Sequence, residues 1–232
     1  MAKIGYKIDQ GMAQITMDDG KANAMDFAFF EEMGEALDRA EGDGAKTLII
    51  TGRPGYFSAG LDIKLMPTLS PAELNRLAET FARTLLRVFS VPLPTVAVCS
   101  GHAVAGGAML ALSCDLRFAV DGPYRIQMNE MLVGIPFPSW MLLIGRSSVP
   151  VQWFVEAFLH AGAYSPAEAV ERGMFHGLTK EGEDPIARAR AEAEKLKALN
   201  LPAYGTSKKR LRDADVNHVL ELLKEELPFK GA

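Results

Sequence analysis

The residues of this chain that are best placed to do chemistry are Gly106-Gly107, within the segment SGHAVAGGAMLALSCD at residues 100–115. The pair follows an apolar stretch that predicts a strand and begins one that predicts a helix. The first N–H groups of a helix have no partner inside the helix, and two glycines leave them open to a ligand. We therefore expect this helix start to hold an oxygen atom that develops negative charge.

The spacing of the glycines excludes two common phosphate-binding motifs. A phosphate loop needs Lys and then Ser or Thr after its last glycine, but Gly106 is followed by Gly107 and Ala108. A Rossmann fingerprint needs its first two glycines two positions apart, whereas Gly101 and Gly106 are much further separated. The chain also has no H-E-x-x-H pair and no C-x-x-C pair, so we predict no metal site.

A second candidate is the segment FSAGLD at residues 57–62, which follows another stretch predicted to be a buried strand. Its small residues predict a tight turn, and the N–H of Leu61 could point from that turn into a cleft. The simpler alternative is an ordinary strand-to-helix loop in which Asp62 serves as the N-cap.

The third candidate is Glu130, a carboxylate within the apolar sequence MNEMLVGIP at residues 128–136. If Glu130 is buried, loss of hydration raises its pKa from ~4.3 and makes it a better base near neutral pH. If it lies on an exposed loop, it has no such role. The helix after Gly106 offers Met109 and no carboxylate, and Met109 is also explained by simple helix packing.

Composition restricts the class of protein. The chain has 232 residues, 48% of them hydrophobic, which suits one large domain. Its net charge of −4 argues against a nucleic-acid partner. Cys99 and Cys114 lie in apolar context, which fits a reducing compartment. We find no signal peptide, no apolar run near the ~18 residues of a membrane span and no peroxisomal signal at residues 228–232, so we expect a cytoplasmic protein that does not bind membranes.

The pattern of elements predicts an α/β fold. Strands are predicted at residues 4–8, 13–17, 47–51, 95–99, 116–120 and 125–128, the first two forming a hairpin at a sheet edge, and residues 53–60 are predicted to be a turn-rich loop. Helices are predicted after N-caps at Asp26, Ser70 and Ser165, the last two within capping boxes, and from residue 184 onward, including 207–212 and 216–227. We expect an α/β core at residues 1–182 and a C-terminal helical extension at residues 183–232.

In this order and at this spacing, three segments resemble the crotonase superfamily, the enoyl-CoA hydratase/isomerase family. They are FSAGLDIK (residues 57–64), GHAVAGGAMLALSCD (residues 101–115) and QMNEMLVGIP (residues 127–136). The resemblance implies a crotonase-like spiral of repeated ββα units with a C-terminal helical trimerisation region, assembled as a homotrimer or a dimer of trimers. It also implies an acyl-CoA thioester as the ligand, with coenzyme A as part of the substrate and no further cofactor.

The resemblance also assigns roles to residues. The N–H groups of Leu61 and Gly106 would form an oxyanion hole, and Glu130 would be the catalytic base. Contacts with the substrate and its CoA arm would come from Ala22, Ala24, Ser58, Ala59, Gly60, Asp62, Ile63, Lys64, Gly107, Met109, Phe137 and Trp140.

The absence of one glutamate suggests the type of reaction. Hydratases of this family use two glutamates, which would fall on Met109 and Glu130 in this chain. A single glutamate resembles the enoyl-CoA delta isomerase branch and predicts a proton shuttle from the alpha to the gamma carbon of a β,γ-unsaturated acyl-CoA. Other crotonase reactions remain open as alternatives, namely hydration, thioester hydrolysis and decarboxylation, as does an inactive acyl-CoA-binding protein.

Overall fold

The computed structural model describes residues 2–180 and 182–227, and two β-sheets and eight α-helices lie within them. The strands are Ile4–Asp9 (β1), Met12–Met17 (β2), Thr47–Gly52 (β3), Gly55–Ser58 (β4), Thr95–Cys99 (β5), Gly101–Val104 (β6), Leu116–Val120 (β7), Ile126–Gln127 (β8), Ala163–Tyr164 (β9) and Gly177–Thr179 (β10). The α-helices are Phe27–Gly42 (α1), Pro71–Ser90 (α2), Gly106–Ser113 (α3), Ser139–Ser148 (α4), Val151–Phe158 (α5), Pro166–Glu171 (α6), Pro185–Leu196 (α7) and Leu201–Glu226 (α8). Two short 3-10 helices span Met66–Thr68 and Glu130–Val133.

The strands divide between a large and a small sheet. The large sheet has the order β1-β2-β3-β5-β7-β10 and is parallel except for the antiparallel β1-β2 hairpin at its edge. The small sheet has the order β4-β6-β8-β9, and β4, β6 and β8 are parallel to one another. The mixed α/β class, the hairpin and its position at the sheet edge are therefore confirmed.

The chain alternates regularly between the two sheets. The strand pairs β3-β4, β5-β6 and β7-β8 each place one strand in the large sheet and the next in the small sheet, and a helix follows each pair. This is the expected repetition of ββα units. Because β4, β6 and β8 are parallel, the segments that follow them emerge at one edge of the small sheet.

Local sequence signals explain where several helices begin. The Oδ1 of Asp26 accepts the N–H of Phe29 at 2.9 Å, so Asp26 is the N-cap of α1. Ser70 with Glu73, and Ser165 with Glu168, form complete capping boxes at the starts of α2 and α6. These short-range predictions are confirmed because each cap needs only a few neighbouring residues.

Other predicted elements need correction. Residues 53–60 are not only a loop, because they contain strand β4, which pairs with β6. Residues 207–212 and 216–227 are not separate helices, since one continuous helix, α8, spans Leu201–Glu226. The helices α4 and α5 were not predicted. Residues 228–232, which are predicted to carry no peroxisomal signal and to belong to the C-terminal extension, lie outside the described residues.

The core has layers on both faces of the large sheet. Ile50 of β3 packs in the main core together with α1, α2 and α3, whereas the neighbouring Ile49 packs on the other face against Ala189 and Ala193 of α7. All eight residues of α3 are buried, so this helix lies in the interior of the molecule. Within residues 2–180 and 182–227, no helix combines the length and apolar character needed to cross a membrane.

A largely buried charge network fastens the first half of α8 to the core. The Oδ2 of Asp115 accepts the Nζ–H of Lys208 at 2.7 Å, the O–H of Tyr204 at 2.9 Å and both the N–H and O–H of Thr95 at 2.9 and 3.0 Å. Its Oδ1 lies 3.0 Å from Nη2 of Arg212. The network joins α8 to β5 and to the end of α3, so it fixes the position of a helix that also reaches the site described next.

Candidate active site

Three chain segments meet at the C-terminal edge of the small sheet. β4 is followed by residues 59–61, β6 by Ala105 and Gly106, and β8 by Asn129 and Glu130. Parallel strands bring the residues after their carboxyl ends to the same side, as in other α/β proteins where ligands bind at such an edge. The topology therefore explains how segments far apart in sequence converge.

Close backbone packing explains the glycines at this edge. A Cβ on Gly60 would lie 2.8 Å from the backbone nitrogen of Gly106, and a Cβ on Gly107 would lie 2.0 Å from the carbonyl oxygen of Ser58. Gly60 also has a φ of +84°, which favours glycine. These glycines let the start of α3 lie directly against the segment that follows β4.

Two backbone N–H groups at this edge have no acceptor within the described part of the chain. Leu61 and Met25 form a parallel β-bridge. In this bridge the N–H of Met25 donates to the carbonyl oxygen of Gly60, and the N–H of Asp62 donates to the carbonyl oxygen of Met25. The N–H of Leu61 therefore points away from Met25. Gly106 is the first residue of α3, and its N–H has no partner within that helix. Both residues line the same cavity.

Backbone strain accompanies this arrangement. Ala105, the residue before Gly106, has φ 49° and ψ −124°, a conformation that residues with a side chain rarely adopt. Such a conformation costs on the order of 1–3 kcal/mol and persists only when the surrounding structure imposes it. Here it lies at the turn of the chain from β6 into α3.

The three segments open into a cavity of about 920 Å³. Its wall is mostly apolar and comes from the small sheet, from α2 and α4, and from the last turn of α8. The lining residues are Tyr56, Ala59, Leu61, Ile63, Met66, Ala78, Phe81, His102, Val104, Ala105, Gly106, Arg125, Asn129, Glu130, Val133, Ile135, Pro136, Phe137, Pro138, Trp140, Met141, Leu223, Glu225, Glu226 and Leu227.

Glu130 is a buried carboxyl group in the wall of this cavity. Only 5% of the residue is exposed, and its Oε2 has no hydrogen-bond partner among the described residues. Burial raises the pKa of Glu130 to about 7, and a hydrogen bond from its own backbone N–H only partly opposes this. The exposed-loop alternative is therefore wrong. A carboxyl group with this pKa can both accept and return a proton near neutral pH.

This geometry can be compared with known proteins. The model of the enoyl-CoA hydratase/isomerase family matches residues 7–224, nearly the whole chain. The chain belongs to this family. Enoyl-CoA delta isomerase 1 of human mitochondria is 28% identical over 229 residues, covering 93% of this chain and 76% of that protein. A probable enoyl-CoA hydratase of Bacillus subtilis is 31% identical over 202 residues, covering 84% of this chain and 76% of that protein.

The solved structures agree on the fold. A crystal structure of an enoyl-CoA hydratase/isomerase family protein from Pseudomonas syringae matches this chain with a TM-score of 0.90 and 32% identity, covering 97% of this chain and 96% of that chain. The crotonase fold inferred from the sequence is thus confirmed, and the chain is an enzyme of this family. Isomerase and hydratase names both occur among its relatives, so family membership alone does not separate the two reactions.

Some of the catalytic and substrate-binding residues predicted from the sequence line the cavity. They are Ala59, Leu61, Ile63, Gly106, Glu130, Phe137 and Trp140. The others do not line it, namely Ala22, Ala24, Ser58, Gly60, Asp62, Lys64, Gly107 and Met109. Ser58 instead supports the loop, because its hydroxyl donates to the carbonyl oxygen of Asn23 at 2.7 Å and accepts the N–H of Gly60 at 3.1 Å. Met109 is fully buried within α3.

Asp62 and Lys64 lie on the outer side of the same loop. The Oδ1 of Asp62 accepts the N–H of Lys64 at 2.9 Å and that of Leu65 at 3.2 Å, so the carboxylate caps a turn. The side chain of Lys64 is exposed. A role for these residues in binding the CoA arm stays a prediction, as do the roles assigned to Ala22 and Ala24.

Several cavity residues were not found from the sequence. Phe81 of α2 and Leu223 of α8 belong to regular apolar helix faces, which look the same whether they meet another element or a ligand. Tyr56 lies on β4, next to strand β6 of the small sheet. The signal that could have found Tyr56 is the alternation of residues along β4, which requires that strand to be recognised first.

Proposed function

We propose that this chain is an enoyl-CoA delta isomerase that moves a β,γ double bond of an acyl-CoA into α,β conjugation. The observation that carries the proposal is Glu130, a buried carboxyl group without a partner, in one cavity with the two open N–H groups of Leu61 and Gly106. The human relative named enoyl-CoA delta isomerase 1 supports the same choice.

In the proposed reaction the thioester oxygen lies between the N–H groups of Leu61 and Gly106. The carboxylate of Glu130 removes a proton from the alpha carbon, and the electron pair of that C–H bond passes through the thioester to give a dienolate. The two N–H groups stabilise the negative charge that develops on oxygen, and one such donor typically contributes about 10²–10³-fold in rate. Glu130 then returns the proton to the gamma carbon, which leaves the conjugated product.

The surroundings of Glu130 favour proton transfer over hydration. Hydration needs a second group to orient and deprotonate water, but Met109 cannot do acid–base chemistry. Glu225 and Glu226 also line the cavity, but both are exposed, and Glu226 binds the start of α4. Among the described residues, Glu130 is therefore the buried carboxyl group of this cavity, and a mostly apolar wall limits the access of water.

The proposal extends to binding and assembly. The loop at residues 58–64, together with Ala22 and Ala24, would hold the CoA arm, with no cofactor beyond the CoA of the substrate. We also include in the proposal a homotrimer or dimer of trimers, which light scattering on the purified protein would test, and a cytoplasmic location, which cell fractionation would test.

Hydratase activity is the second candidate because the Bacillus subtilis relative carries that name. A turnover assay separates the two reactions. The protein is given a 3-enoyl-CoA and, separately, a 2-enoyl-CoA, and the products are identified by mass spectrometry and NMR. We expect the 3-enoyl-CoA to give the conjugated isomer without a change in mass. Rapid addition of water to the 2-enoyl-CoA, without isomerisation of the 3-enoyl-CoA, would falsify the proposal.

A further inference from the structure

The cavity has a mainly apolar end that begins beside Gly106 and stops at the last turn of α8, where the exposed Glu225 and Glu226 also line it. A Cβ on Gly106 would come within 2.8 Å of Cζ of Phe81, so the Phe81 ring lies against this donor. The rings of Phe81 and Trp140 meet edge to face at 4.9 Å, and Leu223 and Leu227 of α8 also line the cavity. An acyl chain suits this apolar direction better than the pantetheine arm, whose amides and phosphates need water or polar partners.

The wall at this end is held by a contact between two helices. The N-cap of α4 is Pro138, which offers no side-chain acceptor. The carboxylate of Glu226, from the last turn of α8, takes that role. Its two oxygens each accept the N–H of Ser139 at 3.1 Å, and Oε1 also accepts the O–H of Ser139 at 2.5 Å. A carboxylate at a helix N-terminus is favoured by both hydrogen bonding and the helix dipole.

This contact fastens a part of α8 that has little other polar attachment. The charge network around Asp115 ends at Arg212, which lies about 21 Å along the helix from Glu226. Within the described part of the chain, no side-chain hydrogen bond or ion pair involves residues 213–225 of α8. Between the two fastenings the helix is held by apolar packing of residues such as Val216 and Val219.

We propose that Glu226 is a positioning residue that sets the longest acyl chain the cavity accepts. It fastens the last turn of α8 to the start of α4, which holds Leu223 and Leu227 across the apolar end of the cavity. The inference rests on the proposed function, because it takes the acyl group of an acyl-CoA as the occupant of that end. When the contact is broken, the end of α8 moves away more easily and a longer chain fits.

The size of the effect follows from the contact. Breaking a helix cap of this kind shifts the balance between the fastened and released helix end by about tenfold, equivalent to about 1.4 kcal/mol, within the range measured for caps. The affinity for an acyl chain that fits inside the closed cavity does not change when the end of α8 is released. The affinity for an acyl chain that must displace α8 rises by the whole factor of about ten.

The test measures dissociation constants of wild type and Glu226→Ala for butanoyl-CoA, octanoyl-CoA and palmitoyl-CoA, which bind without turnover. For the wild type we expect affinity to rise with chain length and then fall once the chain meets α8. For Glu226→Ala we expect the affinity for palmitoyl-CoA relative to octanoyl-CoA to rise by about tenfold. An unchanged ratio in the folded variant, or a wild type without a length limit, overturns the proposal.

Two further variants show whether the contact itself is responsible. Glu226→Gln keeps an oxygen that can accept the N–H of Ser139, so it should give an intermediate ratio. Glu221→Ala removes another exposed glutamate of α8 that does not line the cavity, and its ratio should equal that of the wild type. A change in Glu221→Ala as large as in Glu226→Ala would show a general effect of charge on the helix and contradict the proposal.

Kinetics separates this inference from the proposed function. With a short 3-enoyl-CoA, the control variant Glu221→Ala should keep the kcat of the wild type, because Glu221 does not line the cavity. With a long 3-enoyl-CoA, the KM of Glu226→Ala should fall below that of the wild type. A wild type that binds acyl-CoAs with a length limit but isomerises none refutes the isomerase reaction and leaves the role of Glu226 intact. If the wild type isomerises 3-enoyl-CoAs and its chain-length preference is unchanged in Glu226→Ala, the isomerase reaction stands and the role of Glu226 is refuted.

Discussion

Glu130 and Asp115 are two largely buried carboxyl groups with opposite surroundings. Burial raises the pKa of Glu130 to about 7, since no cation or side-chain donor among the described residues offsets the loss of hydration. Burial also raises the pKa of Asp115, but Lys208 and Arg212, with hydrogen bonds that include the N–H of Thr95, more than reverse this and hold the pKa below its ordinary value. Glu130 can therefore exchange a proton near neutral pH, whereas Asp115 stays ionised.

The difference shows how one fold assigns carboxyl groups to chemistry or to structure. A buried charge is tolerated when donors converge on it, and Asp115 collects donors from β5 and α8. Glu130 follows β8 in the wall of a cavity, and no such donors reach its Oε2 among the described residues. A carboxyl group that has a strongly shifted pKa and no partner, and that lies in a cavity, indicates a functional site. A buried carboxyl group that is paired with cations indicates a structural role.

The largest expected effect is on catalysis, through Glu130→Gln. Loss of the base should reduce kcat for 3-enoyl-CoA isomerisation by about 10²–10⁴-fold while acyl-CoA binding persists. In the wild type, kcat/KM should rise with pH and level off above about 7, because the base of the free enzyme must be ionised. Steady-state kinetics and a binding titration check both statements. Turnover near the wild-type level in Glu130→Gln would remove Glu130 from the mechanism.

Asp115→Asn should do the opposite and act on stability. It leaves Lys208 and Arg212 as buried cations without a carboxylate, which typically costs about 3–5 kcal/mol. The pKa of Asp115 is lowered on folding, so its contribution is present above the unfolded pKa of 3.8 and is lost as pH falls through the folded value. Urea unfolding should therefore show a large deficit at neutral pH that shrinks in acid. A deficit independent of pH contradicts the electrostatic explanation.

The stability of the wild type should also report on Glu130, with the opposite sign. The unfolded chain loses this proton near pH 4.5, whereas the folded protein keeps it to about 7. In that window the folded state binds more protons, so stability falls as pH rises, by on the order of 3 kcal/mol in total. Glu130→Gln does not titrate, so its advantage in unfolding free energy should be absent below about pH 4.5, grow as pH rises to about 7 and stay constant above that. Parallel curves for the two proteins would contradict the raised pKa.

The sequence predicts features that depend on neighbouring residues, such as helix caps, and misses features that depend on tertiary packing. The caps of α1, α2 and α6 depend on neighbouring residues and were predicted correctly. The burial of Glu130 depends on distant elements that cover it, so the sequence left it open. The orientation of Met109 could not be read either, because every residue of α3 is buried and the helix has no polar side to set a direction. Strands β4 and β6 have only four residues each, too few for a clear alternation.

The smallest expected effect is that of removing one neutral hydrogen-bond donor, Tyr204, from the network around Asp115. Tyr204→Phe removes one hydrogen bond, of 2.9 Å, and leaves both cations in place, so the expected loss is about 1 kcal/mol in unfolding free energy. Tyr6→Phe is a matched control, because the hydroxyl of Tyr6 also donates to an aspartate, Asp43, at 3.0 Å, but in an exposed pair whose removal should cost almost nothing. Equal losses in the two variants would mean that burial does not strengthen the hydrogen bonds of Asp115, and that Lys208 and Arg212 alone distinguish it from Glu130.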